Sequence, residues 1–173
     1  GIPYRSLPGV HPKGAYFTRG SGHNAEGRYT EDADEYREVV DRLNRKFDTA
    51  AGLVPAPVVV NSARGDIAVL SVGSCDGAVR EALLLLGEHG ITLNYMRIKA
   101  FPFSEPVQAF LDRHERVFVV EQNSDGQLRK LLINETRTDP AKLVPVLHYD
   151  GLPIGSDCIL EAIREGLEKG AAA

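Results

Sequence analysis

From Asp66 onward the chain alternates between short apolar runs and stretches with helical spacing, and this alternation narrows the possible folds more than any other feature. "IAVLSVG" reads as a buried strand. Ala78, Val79, Ala82, Leu83 and Leu86 then recur at the i, i+3, i+4 spacing of a helix that stops between Gly87 and Gly90. "TLNYMRI" is a second strand, followed through "KAFPF" by a helix capped by Ser104 with Val107, Phe110 and Leu111 inside. "RVFVVE" is a third strand, and Leu128, Leu131 and Leu132 line the next helix. "LVPVLHY" is a fourth, before a last helix capped by Ser156 and buried through Ile159, Ile163 and Leu167. Strands separated by helices form βαβ crossovers, hence a parallel sheet. Pro145 has no N–H for a ladder, so its strand belongs at a sheet edge or has Pro145 at its start. The expected fold is α/β: a small open, mostly parallel sheet with helices on both faces.

The N-terminal third has a different character. Residues 1–29 show no apolar periodicity and hold Pro3, Pro8, Pro12 and six glycines, so we expect an irregular arm. Residues 30–52 read as one amphipathic helix, with Thr30 as cap, Glu31 and Asp32 in the first turn, and Gly52 at its end. Its stripe of Tyr36, Val39, Val40, Leu43 and Phe47 is expected to pack on the α/β unit. Residues 53–65, with Pro55 and Pro57, read as an extended linker. The α/β domain is assigned to 66–168 and a fraying tail to 169–173. Gly1 in place of methionine, and the closing "EKGAAA", suggest a segment cut from something longer.

Composition excludes several classes. With 43% hydrophobic residues among 173, the chain can bury a core, and its net charge of −4 with no basic stripe argues against a nucleic-acid partner. No apolar run approaches the length of a membrane span. Cys75 and Cys158 are far apart and outside any metal-binding spacing, so we expect two reduced, partly buried thiols in a cytoplasmic protein.

In an open α/β sheet, ligands gather at the carboxyl ends of the strands. "GSCDG", "KAFPFSE", "EQNSDGQ" and "YDGLPIGSD" lie there. The first lacks the remaining glycines of a dinucleotide fingerprint and the lysine of a P-loop, so an ordinary capped turn is the better reading. Five scattered histidines give no ligand spacing, and His89 and His114 sit near helix ends, where a surface histidine is normal. Ser74 and Cys75 have no histidine partner visible in the sequence. In the arm, Arg5, Lys13, Arg19, His23 and Arg28 alternate with Tyr4, Tyr16, Phe17 and Tyr29, which suits an anionic ligand or a partner surface as well as a solvated peptide. The polar knot Glu121, Gln122, Asn123, Asp125 and Gln127 after the third strand either caps a helix or faces a neighbour.

"GIPYRSLPGVHPKGAYFTRGSGHNAEGRYTED", "RIKAFPFSEPVQAFL", "VFVVEQNSDGQLRKLL" and "LVPVLHYDGLPI" occur in an order that resembles the C-terminal domain of the alpha subunit of 2-oxoacid:ferredoxin oxidoreductases. This is the transketolase-C-like domain II, and the likeness is greatest to the 2-oxoglutarate type. The resemblance implies an enzyme that decarboxylates 2-oxoglutarate on thiamine diphosphate with magnesium, passes electrons through a [4Fe–4S] cluster to ferredoxin, and releases succinyl-CoA. It places those cofactors chiefly on the beta subunit, so this fragment is expected to bind none of them and to be inactive alone. The family's active-site threonine lies in a Tyr-Pro-Ile-Thr-Pro-type motif, which is absent here, so no catalytic residue is carried over. What remains is a domain serving assembly and the shape of the active site. Its expected partners are the other alpha-subunit domains, the beta subunit and, through the holoenzyme, ferredoxin. Arg19 and His23 are expected near substrate or CoA, and Glu121, Gln122, Asn123, Asp125 and Gln127 at a domain or subunit interface. The corresponding domain of a pyruvate or branched-chain 2-oxoacid enzyme, and a free-standing ligand-binding α/β module, are the alternatives.

Overall fold

A computed structural model of the protein describes residues 1–14, 20–60 and 65–171, which fall into two compact units, Gly1–Leu53 and Val54–Ala173. In the first unit, helix α1 spans Ala33–Ala51. Its cap is Asp32, two residues beyond the expected Thr30: Asp32 Oδ1 accepts from the amides of Asp34 and Glu35, both at 3.0 Å. Thr30 Oγ1 instead accepts from Asp32 N at 3.1 Å and orders the turn leading into the cap. A carboxylate answers both the free amides and the positive end of the helix dipole, which a hydroxyl does not. The expected burial of the apolar stripe is not found. No residue of α1 is buried, and Leu43 and Phe47 are 37% and 55% exposed.

The second unit holds a five-stranded sheet. Its strands are β1 (Val58–Val60), β2 (Ile67–Val72), β3 (Asn94–Ile98), β4 (Arg116–Glu121) and β5 (Leu143–Leu147), in the order β1-β3-β2-β4-β5. β2 through β5 are parallel, and only β1 runs antiparallel, with Val59 opposite Met96. β1 lies inside the stretch read from sequence as an extended linker: Val58–Val60 are extended, and they pair. β5 is an edge strand, as Pro145 requires.

Helices α2 (Asp76–Glu88), α3 (Glu105–Arg113), α4 (Gln127–Glu135) and α5 (Ser156–Ala171) cover the parallel strands. Successive strand residues point to opposite faces, and the core divides accordingly. Val69, Tyr95, Phe118 and Val120 pack with Val79, Ala82 and Leu86 of α2 and Ile159 and Ile163 of α5. Leu70, Met96, Val117 and Val119 pack on the other face with Val107, Phe110 and Leu111 of α3 and Leu128 and Leu132 of α4. Burial on both faces is why the central strands are unbroken apolar runs rather than alternating ones.

Two details depart from the sequence reading. Cys75 is buried but Cys158, in the first turn of α5, is exposed; both are free thiols. His89 is exposed as expected at the end of α2, but His114 is fully buried. Its Nδ1–H donates to the Phe110 carbonyl at 2.7 Å, because a carbonyl only accepts, and Nε2 therefore accepts from Asn94 Nδ2 at 2.9 Å. This arrangement holds the ring neutral. Burial is the largest influence, and it pushes the imidazole below its ordinary value of 6.5.

Two predictions come from this packing. The unfolded chain takes up a proton on His114 near pH 6.5 and the folded chain only lower, so the stability linked to His114 is full above pH 6.5 and declines as pH falls. The gap in melting temperature between the wild type and His114→Gln should therefore narrow from pH 7.5 to pH 5; a gap independent of pH would contradict the assignment. The second concerns Gly166 in α5, where an added Cβ would stand 2.5 Å from Cε1 of Phe118, a fully buried ring. Gly166→Ala should lower stability by roughly 1–3 kcal/mol in urea titration despite alanine's better helix propensity.

Candidate functional site

The strand order reverses around β2, which β3 flanks on one side and β4 on the other. α2 packs on one face of the sheet and α4 on the other, so the carboxyl ends of β2 and β4 are the position at which ligands of open α/β sheets lie. The polar knot after β4 is at this position.

Glu121, the last residue of β4, is only 2% exposed. Its Oε2 accepts from the amide of Leu128 at 2.6 Å and from Asn123 Nδ2 at 3.0 Å, and its Oε1 accepts from the amide of Arg129 at 3.0 Å. Asn123 Oδ1 accepts from the amides of Asp125 and Gln127 at 3.1 and 3.2 Å. Together the two side chains take up the free amides at the first three positions of α4. The residue in the cap position is Gly126, at φ 62°, which has no side chain to do so. Placing a buried carboxylate at the positive end of a helix, with donors to both oxygens, offsets its desolvation. Glu121 is thus committed to the fold and presents little to a neighbour. Gln122, Asp125 and Gln127 are exposed, and Asn123 is half-buried.

Gln122 joins the loops. Its Nε2 donates to Ser74 Oγ at 2.9 Å and lies 3.8 Å from Cys75 Sγ, while its Oε1 accepts from the amide of Ile154 at 2.9 Å. The backbone adds a link, His148 N donating to Glu121 O at 3.0 Å. One residue therefore ties the turns that follow β2, β4 and β5. Burial pushes the Cys75 thiol up, and its side-chain partner is an amide, which cannot take its proton.

A second polar group, missed in the sequence, lies at the carboxyl ends of β2 and β3. Tyr95 OH donates to Asp76 Oδ1 at 2.8 Å, so the 2.7 Å contact with Ser71 is a bond donated by the serine hydroxyl. Arg80 Nε donates to Asp76 Oδ1 at 3.0 Å, and Arg97 Nη1 lies 3.4 Å from Asp76 Oδ2. Arg97 Nη2 also donates to the carbonyl of Gly73 at 3.3 Å, and Gly73 turns the chain at φ 65°. Burial alone would raise the Asp76 carboxyl, but the Tyr95 hydroxyl and the two guanidinium groups outweigh it and hold the group below the ordinary carboxylate range. Burial, and then the Asp76 carboxylate, push the Tyr95 hydroxyl well above its ordinary value. The ensemble is an anion balanced by two cations beside a neutral phenol, which holds turns in place and leaves no free base. The i, i+4 spacing of Asp76 and Arg80 and the shared strand face of Tyr95 and Arg97 were the available signals.

The other sequence candidates belong to the first unit. Arg19 lies outside the described residues. His23 is exposed and forms an isolated bridge with Tyr29 across a turn in which Asn24 Oδ1 accepts from the amides of Glu26 and Arg28 at 3.2 and 3.1 Å. Tyr29 OH donates to Glu31. Among the described residues no group of three or more His, Cys, Asp or Glu side chains is placed to hold a metal ion, and no helix is long and apolar enough to cross a membrane. The chain's two cysteines are too few for the four thiolates of a [4Fe–4S] cluster.

The fold is of the transketolase C-terminal class: a split-gene transketolase, an inactive beta4 tetramer, superposes on 65% of the chain with a TM-score of 0.50 and 16% identity. The 2-oxoglutarate:ferredoxin oxidoreductase of Magnetococcus marinus, solved with 2-oxoglutarate, coenzyme A and succinyl-CoA bound, shares the fold more fully. It covers 92% of this chain and 28% of its own, with a TM-score of 0.75 and 24% identity. No family model matches the chain. Curated relatives do. The alpha subunit of 2-oxoacid:ferredoxin oxidoreductase 2 of Aeropyrum pernix is 28% identical over 156 residues, covering 87% of this chain and 24% of that subunit. The alpha subunit of the Saccharolobus solfataricus 2-oxoacid:ferredoxin oxidoreductase is 26% identical over the same span and coverage. The resemblance read from the motifs therefore holds along most of the chain, which spans about a quarter of the length of these relatives.

The site's geometry predicts that Glu121→Gln, which puts an amide N–H against backbone donors, lowers stability by roughly 1.5–3 kcal/mol in denaturant titration. Asp125→Ala, at an exposed position of the same loop, should stay within about 0.5 kcal/mol of wild type. Equal effects would mean that the carboxylate is not the cap.

Proposed function

We propose that this chain is part of the alpha subunit of a 2-oxoacid:ferredoxin oxidoreductase of the 2-oxoglutarate type. The whole enzyme would convert 2-oxoglutarate and CoA to succinyl-CoA and carbon dioxide, with ferredoxin taking the electrons. The observation that carries this reading is the alignment of 156 residues, 87% of the chain, with alpha subunits bearing that name. The narrower choice of 2-oxoglutarate is supported by the fold shared with the Magnetococcus marinus enzyme, which was solved with 2-oxoglutarate, coenzyme A and succinyl-CoA bound.

Thiamine diphosphate, with magnesium, would supply the carbanion chemistry from the partner subunit. The residues of this domain shape and assemble. Glu121 and Asn123 hold the start of α4, Gln122 ties three turns, and the Asp76–Arg80–Arg97 group holds the ends of β2 and β3. A loop platform held from beneath in this way leaves the exposed side chains of Asp125 and Gln127 to meet a neighbouring domain or the beta subunit. Arg19 and His23 would stand near the anionic substrate or CoA, in a cytoplasmic enzyme.

Two measurements test the proposal. The isolated chain should give no specific heat with thiamine diphosphate and magnesium in calorimetric titration, and micromolar affinity would mean that the domain is misassigned. In the complete enzyme, Arg19→Ala should raise the KM for 2-oxoglutarate or CoA or weaken subunit assembly. Wild-type kinetics and assembly together would reduce the arm to a tether.

A further inference from the structure

We draw no further inference here: the strongest candidate, the apolar groove between β1 and α2 lined by Val60, Leu83, Leu84 and Tyr95 beside Arg80, carries nothing, because Arg80 belongs to the Asp76 group already described and nothing in the structure shows what covers the groove.

Discussion

The buried carboxylate of Glu121 is the interaction on which the strand-end loops depend. It closes β4, and from that position its two oxygens take the amides of Leu128 and Arg129 and the side chain of Asn123. α4 begins at a left-handed glycine with no cap of its own, so its first turn would otherwise carry unpaired donors. With α4 held in place, Leu128 and Leu132 can fill the face of the sheet shared with α3. Gln122, directed by the same strand end, then ties the turns after β2 and β5 to this point. One strand terminus thus connects backbone satisfaction, core packing and the arrangement of the strand-end turns.

That connection commits the described polar groups at the strand ends to holding the fold. Its polar residues at the strand ends are paired with one another: Glu121 with amides, Asp76 with two arginines and a phenol, Cys75 with an amide side chain. Paired groups of this kind hold loops in position.

The fold was largely legible because burial on both faces turns β2 and β4 into continuous apolar runs, and Pro145 marks the edge. β1 was not, because three valines between prolines and a polar stretch are too short to separate from an extended linker. The shift of the α1 cap from Thr30 to Asp32 is a choice between adjacent capping residues, decided by a carboxylate serving two amides. His114 was misjudged because its partners come from another strand and from its own preceding turn, and sequence position near a helix end resembles a surface site. In the candidate site, capping by the polar knot was legible but the part played by Glu121 was not, since the amides it serves lie seven and eight residues on. Tyr95 and Arg97 reach Asp76 across a parallel pairing that only the strand order supplies.

Native-state hydrogen exchange at the amides of Leu128 and Arg129 tests the central claim most directly. If Glu121 holds the start of α4, these two amides exchange with protection close to that of the β4 core, although they sit in the first turn of a helix, where amides usually exchange fast. Exchange as rapid as in the exposed loop at Ser124 and Asp125 would contradict the account, and would leave the carboxylate free for some other partner.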